Sequence, residues 1–154
     1  MVPTFEAAGR DAFDRTVYTA WCPDVPSLAR LRFPVDGPVV VFLVLDTPDL
    51  PTDDDLLAIA IALLQQRAIY LIAWGPACQR MESAFHLADD RRDPEGQLPT
   101  VVTTLPANEP LEKALSFATH SAAPPEECQT LLAIFVGNVS WYNVAQEFFE
   151  EELR

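Results

Sequence analysis

Apolar and polar positions along the chain fall into blocks of two kinds. Val39–Leu45 reads Val-Val-Val-Phe-Leu-Val-Leu without a polar interruption, the pattern of a strand buried on both faces. Ala68–Trp74, residues 100–105 and residues 131–136 predict further strands of β-branched and aromatic composition. Between them lie helical blocks. Residues 53–67 open on Thr52-Asp53-Asp54-Asp55, an N-cap followed by three carboxylates in the turn where the helix dipole favours them. Residues 56–64 are then apolar almost all round. Such a helix is covered on more than one side, by its own fold or by a partner, which is compatible with a homodimer. Gly75-Pro76 predicts the end of one strand and the start of a helix with Pro76 at its first position. That helix has an apolar stripe of Ala77, Met81, Ala84, Phe85 and Ala88, and a charged loop over 89–97 follows. Asn108 is the expected cap of a helix over 109–119 whose stripe is Leu111, Ala114, Leu115 and Ala118. Pro124-Pro125 breaks the chain, and residues 140–154 form a closing helix.

Strands that alternate with helices require long, right-handed crossovers and therefore parallel pairing. The fold class expected is α/β: a compact three-layer domain, Rossmann-like or flavodoxin-like, with a mainly parallel sheet of four or five strands and helices on both faces. Residues 1–154 form a single domain in this reading. Residues 1–38 are an N-terminal extension in which 11–21 reads as a short helix and 28–33, alternating apolar residues with Arg, as an edge strand.

Composition narrows the function classes. At 154 residues, 49% of them hydrophobic, the chain supports a real core. Fourteen prolines against five glycines make its loops stiff. Ten basic against 23 acidic side chains give a net charge of −13, which repels phosphate backbones and argues against nucleic acid as a partner. No basic n-region and apolar h-region stand at the start, and the apolar runs fall short of the ~20 residues that span a bilayer, so no membrane association is expected. Cys22, Cys78 and Cys128 are too far apart for a metal knuckle and odd in number for a disulfide framework, which points to a reducing cytoplasm. The Asn138-Val139-Ser140 sequon carries no weight there.

In an open parallel sheet, ligands bind at the carboxyl ends of the strands. The groups that would gather there are Asp46, Thr47 and Asp49; Trp74, Gly75 and Cys78; Thr103 and Thr104; Asn138 and Ser140. Asp46 and Asp49 with residues 53–55 form an oxygen-rich cluster, but loop aspartates cap turns and the triple Asp suits a helix start, so no metal is assigned. Cys78 near a helix N-terminus has the placement of a nucleophile. It also shares a face with Met81 and Phe85, and a buried small residue is the simpler account. Neither His86, two turns along, nor His120 is placed as its base, and Ala84 stands where a phosphatase-type loop needs Arg. Trp74 suits either stacking on a planar ligand or packing at the sheet edge. No Gly-x-Gly-x-x-Gly and no Gly-x-x-x-x-Gly-Lys-Ser/Thr occurs, and Pro76 removes an N–H from the one glycine turn, so no nucleotide cofactor is expected.

The C-terminal helix ends on Glu150-Glu151-Glu152, where the dipole prefers cations. Beside them Trp141, Phe148 and Phe149 belong to a broad aromatic face that either docks on the sheet or meets a basic protein partner.

Ala73-Trp74-Gly75-Pro76-x-Cys78, and Val102-Thr103-Thr104 followed by Asn108-Glu109-Pro110-Leu111-Glu112-Lys113-Ala114-Leu115, resemble a small bacterial α/β domain family of unknown function. The resemblance covers residues 39–136. Members often carry Trp-His after the paired threonines, where this chain has Leu105-Pro106, so the resemblance implies no role for a histidine here. It supports the fold and supplies no activity. With no catalytic constellation, the sequence favours a non-catalytic protein-binding or regulatory module of the immunity or accessory kind. The alternative is an enzyme or small-ligand binder that uses Asp46, Cys78 and Thr104.

Overall fold

A computed structural model describes residues 3–48, 51–96, 100–105, 108–124 and 127–154. Six strands and five helices follow one another as β1 (Glu6–Arg10), β2 (Thr16–Cys22), α1 (Val25–Ala29), β3 (Val39–Leu45), α2 (Asp53–Gln65), β4 (Ala68–Trp74), α3 (Cys78–Arg92), β5 (Val101–Leu105), α4 (Leu111–His120), β6 (Thr130–Val136) and α5 (Val139–Glu152). The strands form one sheet in the order β1-β2-β6-β3-β4-β5. All neighbours pair parallel except β1, which runs antiparallel to β2.

The uninterrupted apolar strands are the sheet's centre. β3, β4 and β6 are buried at every position, because side chains alternate between faces and both faces are covered. Val41, Leu43, Leu71, Ile134 and Val136 point to the layer formed by α1, α2 and α3. Phe42, Val44, Ile72, Ala133 and Phe135 point to the layer of α4 and α5. The three-layer α/β arrangement is as the periodicity predicts. Helix α2 is covered by the sheet and flanked by α1 and α3. Its start is a capping box, in which Thr52 accepts from the Asp55 amide (3.1 Å) and Asp55 accepts from the Thr52 amide (3.0 Å).

The N-terminal segment departs from the sequence reading. Residues 11–21 are a hairpin turn and β2, not a helix, and residues 28–33 are the end of α1 and a loop, not an edge strand. Thr16-Val17-Tyr18-Thr19-Ala20-Trp21-Cys22 is a β-branched and aromatic run that pairs residue for residue with β6, from Thr16 opposite Thr130 to Cys22 opposite Val136. The sheet therefore has six strands where four or five were expected. Smaller differences lie at helix ends. Helix α3 starts at Cys78, two residues after Pro76, and runs on to Arg92 through part of the expected loop. Pro110, not Asn108, is the N-cap of α4.

The hairpin is anchored by a buried ion pair. Arg15 and Asp11 have side chains 1% and 0% exposed, with Nε and Oδ2 2.8 Å apart. The second Asp11 oxygen accepts from the Phe13 and Arg15 amides (2.9 and 3.1 Å). The remaining guanidinium nitrogens donate to the carbonyls of Ala118 (2.8 Å) and Ala122 (2.9 Å). Arg15 thus serves carbonyls in and just beyond the last turn of α4, where the dipole attracts a cation, and each of its three guanidinium nitrogens has a partner. The exposed Arg10–Asp14 pair nearby (3.4 Å) has no such network.

Removing one member of a buried pair leaves the other uncompensated. Asp11→Ala is expected to lower unfolding free energy in urea at neutral pH by about 3–5 kcal/mol, and Arg10→Ala by no more than about 1 kcal/mol. Equal, small losses in both variants would remove the anchoring role from Arg15.

Candidate functional site

At three places along the sheet neighbouring strands send their connections to opposite faces: between β2 and β6, between β6 and β3, and between β4 and β5. At the carboxyl edge, β3 and β4 lead to α2 and α3 on one side, whereas β5 and β6 lead to α4 and α5 on the other. A ligand is expected at such crevices in a parallel sheet, and the strand-end groups named from the sequence fall at two of them, between β3 and β6 and between β4 and β5. Both are filled by the chain itself.

Between β3 and β6, Asn138 caps α5 by accepting from the Trp141 amide (3.1 Å), and its Nδ2 donates to Asp46 Oδ2 (3.0 Å). The Asp46 amide donates to the Val136 carbonyl (3.0 Å). Gly137, at φ +86°, lets the strand end pass so close to β3 that a Cβ there would collide with the Asp46 carbonyl. Thr47 lies against the same glycine. Asp46 and Asn138 are thus brought together, as partners of each other. Asp49 lies outside the described residues, and Ser140 is exposed on the first turn of α5.

Between β4 and β5, Trp74 is 4% exposed. Its Nε1 donates to the Glu109 carbonyl (2.9 Å), and its ring meets Trp141 edge-on with centroids 4.7 Å apart. An indole held in this way is a packing element and offers no free face for stacking. Gly75 is buried beside it. Thr103 shares a hydrogen bond with the Tyr70 hydroxyl (2.8 Å). Thr104 is half-buried on β5.

Cys78 is buried under Leu45, Ala77 and Met81, in a spot without room for a water molecule. Burial pushes its thiol above the ordinary range, more than the amides of the helix start pull it down. It is not activated. The other thiols follow suit: burial raises Cys22 to about 11 and Cys128 above the usual value.

The register measures how far these groups are from one another. Thr104 stands opposite Ala73, and Ala73 opposite Leu43. Asp46 follows Leu43 by three residues, so its Cα lies roughly 14 Å from that of Thr104 at ~4.8 Å between strands and ~3.3 Å per residue. Catalytic groups have to reach a common atom, and these do not converge. Nor do the aspartates gather: Asp53 pairs with Arg80 (2.9 Å), Asp55 serves the capping box and Asp46 holds Asn138. Among the described residues no three His, Cys, Asp or Glu form a group able to hold a metal ion.

On the C-terminal helix, Phe149 is in the core, and Trp141 and Phe148 pack against the same cluster. Of the two placements the sequence leaves open for this aromatic face, the structure has it docked on the sheet. Glu150, Glu151 and Glu152 remain exposed.

The amino edge holds what the sequence reading missed. A cleft of about 460 Å³ lies beside the buried arginine, lined by Arg10, Phe13, Arg15, Glu127, Cys128 and Gln129 among others. Its strongest polar groups are already engaged: Arg15 as described, Arg10 with Asp14, and the Cys128 thiol with the Pro38 and Thr130 carbonyls (3.0 and 3.1 Å). The signal in the sequence was the Asp11–Arg15 spacing next to an apolar run, which reads equally as a solvated helical pair.

Residues 18–152 match the model of a family described as a domain of unknown function (DUF7684), and the chain belongs to that family. The match agrees with the resemblance to a family without assigned activity and extends beyond residues 39–136. No curated protein matches the chain. Among the described residues no helix is long and apolar enough to cross a membrane.

Two outcomes follow from this edge. At neutral pH a thiol-alkylating reagent is expected to leave Cys78 unmodified in the folded protein and to label it on unfolding; rapid labelling of the native thiol would reinstate it as a nucleophile. Gly137→Ala is expected to cost about 3 kcal/mol in urea unfolding, from the left-handed backbone together with the collision at Asp46. A loss no larger than that of Gly37→Ala, where a Cβ meets nothing within 4 Å, would mean that the β3–β6 crevice is looser than described.

Proposed function

We propose that this domain is a non-catalytic module of a reducing compartment that binds a basic protein, as immunity and accessory proteins do, and that it presents the carboxyl edge of its sheet. The observation that carries the reading is that this edge is filled as a pocket and bare as a surface. Its crevices are occupied by Gly137, Asn138, Trp74 and Trp141, while Trp21 and Val139 stand 36% and 52% exposed. Trp21 is bare because β1 pairs with β2 only as far as Thr19.

The charge around these apolar groups supports the same partner. Asp24, Asp53, Asp54, Asp55 and Glu112 are exposed at the strand ends and first helical turns of this edge. The basic residues there are held by acids: Arg80 pairs with Asp53 at 2.9 Å and Lys113 with Glu109 at 3.1 Å, and Arg30 across the short helix α1 acts on Asp24. An indole within an acidic rim suits a partner that brings arginine or lysine, which stacks on the ring and neutralises the rim. The enzyme reading would need Asp46, Cys78 and Thr104 around one reacting atom, and the register opposes that.

The test begins with the tagged full chain as bait in its host's lysate at low and moderate salt, the captured species being identified by mass spectrometry. A stoichiometric partner of high isoelectric point is expected, with affinity falling as salt rises. Trp21→Ser is expected to weaken binding by about tenfold or more, and Glu→Gln at 150, 151 and 152 together to leave it within about threefold. Dependence on the three glutamates and not on Trp21 would overturn the carboxyl-edge assignment. A co-purifying small molecule without a protein would overturn the module reading altogether.

A further inference from the structure

Helices α2 and α3 lie side by side on one face of the sheet, and the furrow between them is uncovered. It consists of two adjoining depressions of about 440 and 270 Å³ that share Arg91. Helical spacing places Asp54, Leu57 and Ile61 along one wall and Ala84, Leu87 and Arg91 along the other. Ile61 and Leu87, at 37% and 45%, are among the exposed large apolar side chains of the molecule.

We infer that this furrow docks a second copy of the chain, the two α2–α3 pairs lying antiparallel across a two-fold axis that runs parallel to the sheet and perpendicular to the helices. Both helices follow strands of one direction, so their N-termini share one end of the furrow and their C-termini the other. The charge is distributed in the same sense. At the N-terminal end Arg80 is spent on Asp53 (2.9 Å) and on the Pro51 carbonyl (2.7 Å), which leaves Asp54 without an ion-pair partner. At the other end Arg92 is paired with Asp89 (2.6 Å), and Arg91 has no ion-pair partner among the described residues. One unpaired anion and one unpaired cation thus stand at opposite ends, roughly 17 Å apart along the helices at ~1.5 Å per residue. Leu57, Ile61 and Leu87 occupy the middle.

A uniformly basic partner is opposed by Arg91, and an acidic one by Asp54. The surface that fits carries the same two charges in reversed order around an apolar centre. A two-fold related copy supplies it, with two equivalent Asp54–Arg91 pairs and the apolar side chains meeting at the axis. This arrangement also sets the helix dipoles against each other and leaves Trp21 and Val139 on the neighbouring edge uncovered. It shares Asp54 with the acidic rim of the binding role proposed above but leaves the apolar centre of that surface free.

Sedimentation of the full chain over a range of micromolar concentrations tests the arrangement. A reversible dimer is expected. Leu87→Glu, Asp54→Arg and Arg91→Asp are each expected to raise the dimer dissociation constant by about tenfold or more. The double variant Asp54→Arg with Arg91→Asp is expected to return to within about threefold of the starting value, an outcome that misfolding of the single variants cannot produce. A monomer at every concentration would overturn the inference, as would a dimer indifferent to Leu87→Glu or charge reversals that fail to rescue each other.

Discussion

The constraint on which the rest of the structure depends is the position of β6. It is the last strand in the chain and the only one inserted between two others that both precede it, with β2 on one side and β3 on the other. Its backbone is bonded along both flanks, and all seven of its residues are buried. Until it is in place, β1 and β2 form one fragment of sheet and β3, β4 and β5 another. To reach that slot the chain leaves β5 at the far edge and returns across the opposite face with α4. That reversal puts α4 and α5 on their side of the sheet, and it creates the crevices that Gly137, Asn138 and Trp74 fill.

The closing of those crevices is the link between fold and function. A doubly wound sheet has its ligand position built in where the strand order reverses. Here the same position is used for internal bonds: Asp46 to Asn138, Trp74 to Glu109 and Trp141. The polar groups at the strand ends hold helix starts and strand ends together. What they leave for the outside is a rim of carboxylates around two apolar side chains.

Most of the framework was legible in the sequence, for a physical reason. β3, β4 and β6 are covered on both faces, so every position is apolar and nothing competes with the strand reading. Thr52 with its three aspartates marks α2 unambiguously. The N-terminal segment was not legible because its signals conflict: Asp11 and Arg15 at helical spacing precede Thr16–Cys22, whose residues suit a strand that β1 covers only in part. Burial of the Asp11–Arg15 pair depends on carbonyls more than a hundred positions away in sequence, at Ala118 and Ala122. The candidate site was half legible. The list of strand-end residues follows from alternation alone. Whether they face a pocket or one another depends on strand order, which periodicity does not encode. Likewise, whether Phe149 and Trp141 dock on the sheet or face outward is decided only by where the sheet lies beneath α5.

The buried arginine has a consequence for how this domain diverges. With Asp11 and Arg15 both withdrawn from water, losing either first passes through a chain that carries a bare internal charge, at a cost of several kcal/mol in a fold whose whole margin is of that order. Lineages descending from such a protein cross that gap seldom, and only with both positions changed together. Positions 11 and 15 are thus expected to change as one unit, charged together or neutral together, and the pair of residues a relative carries there would report whether its α4 is still held by the β1–β2 hairpin.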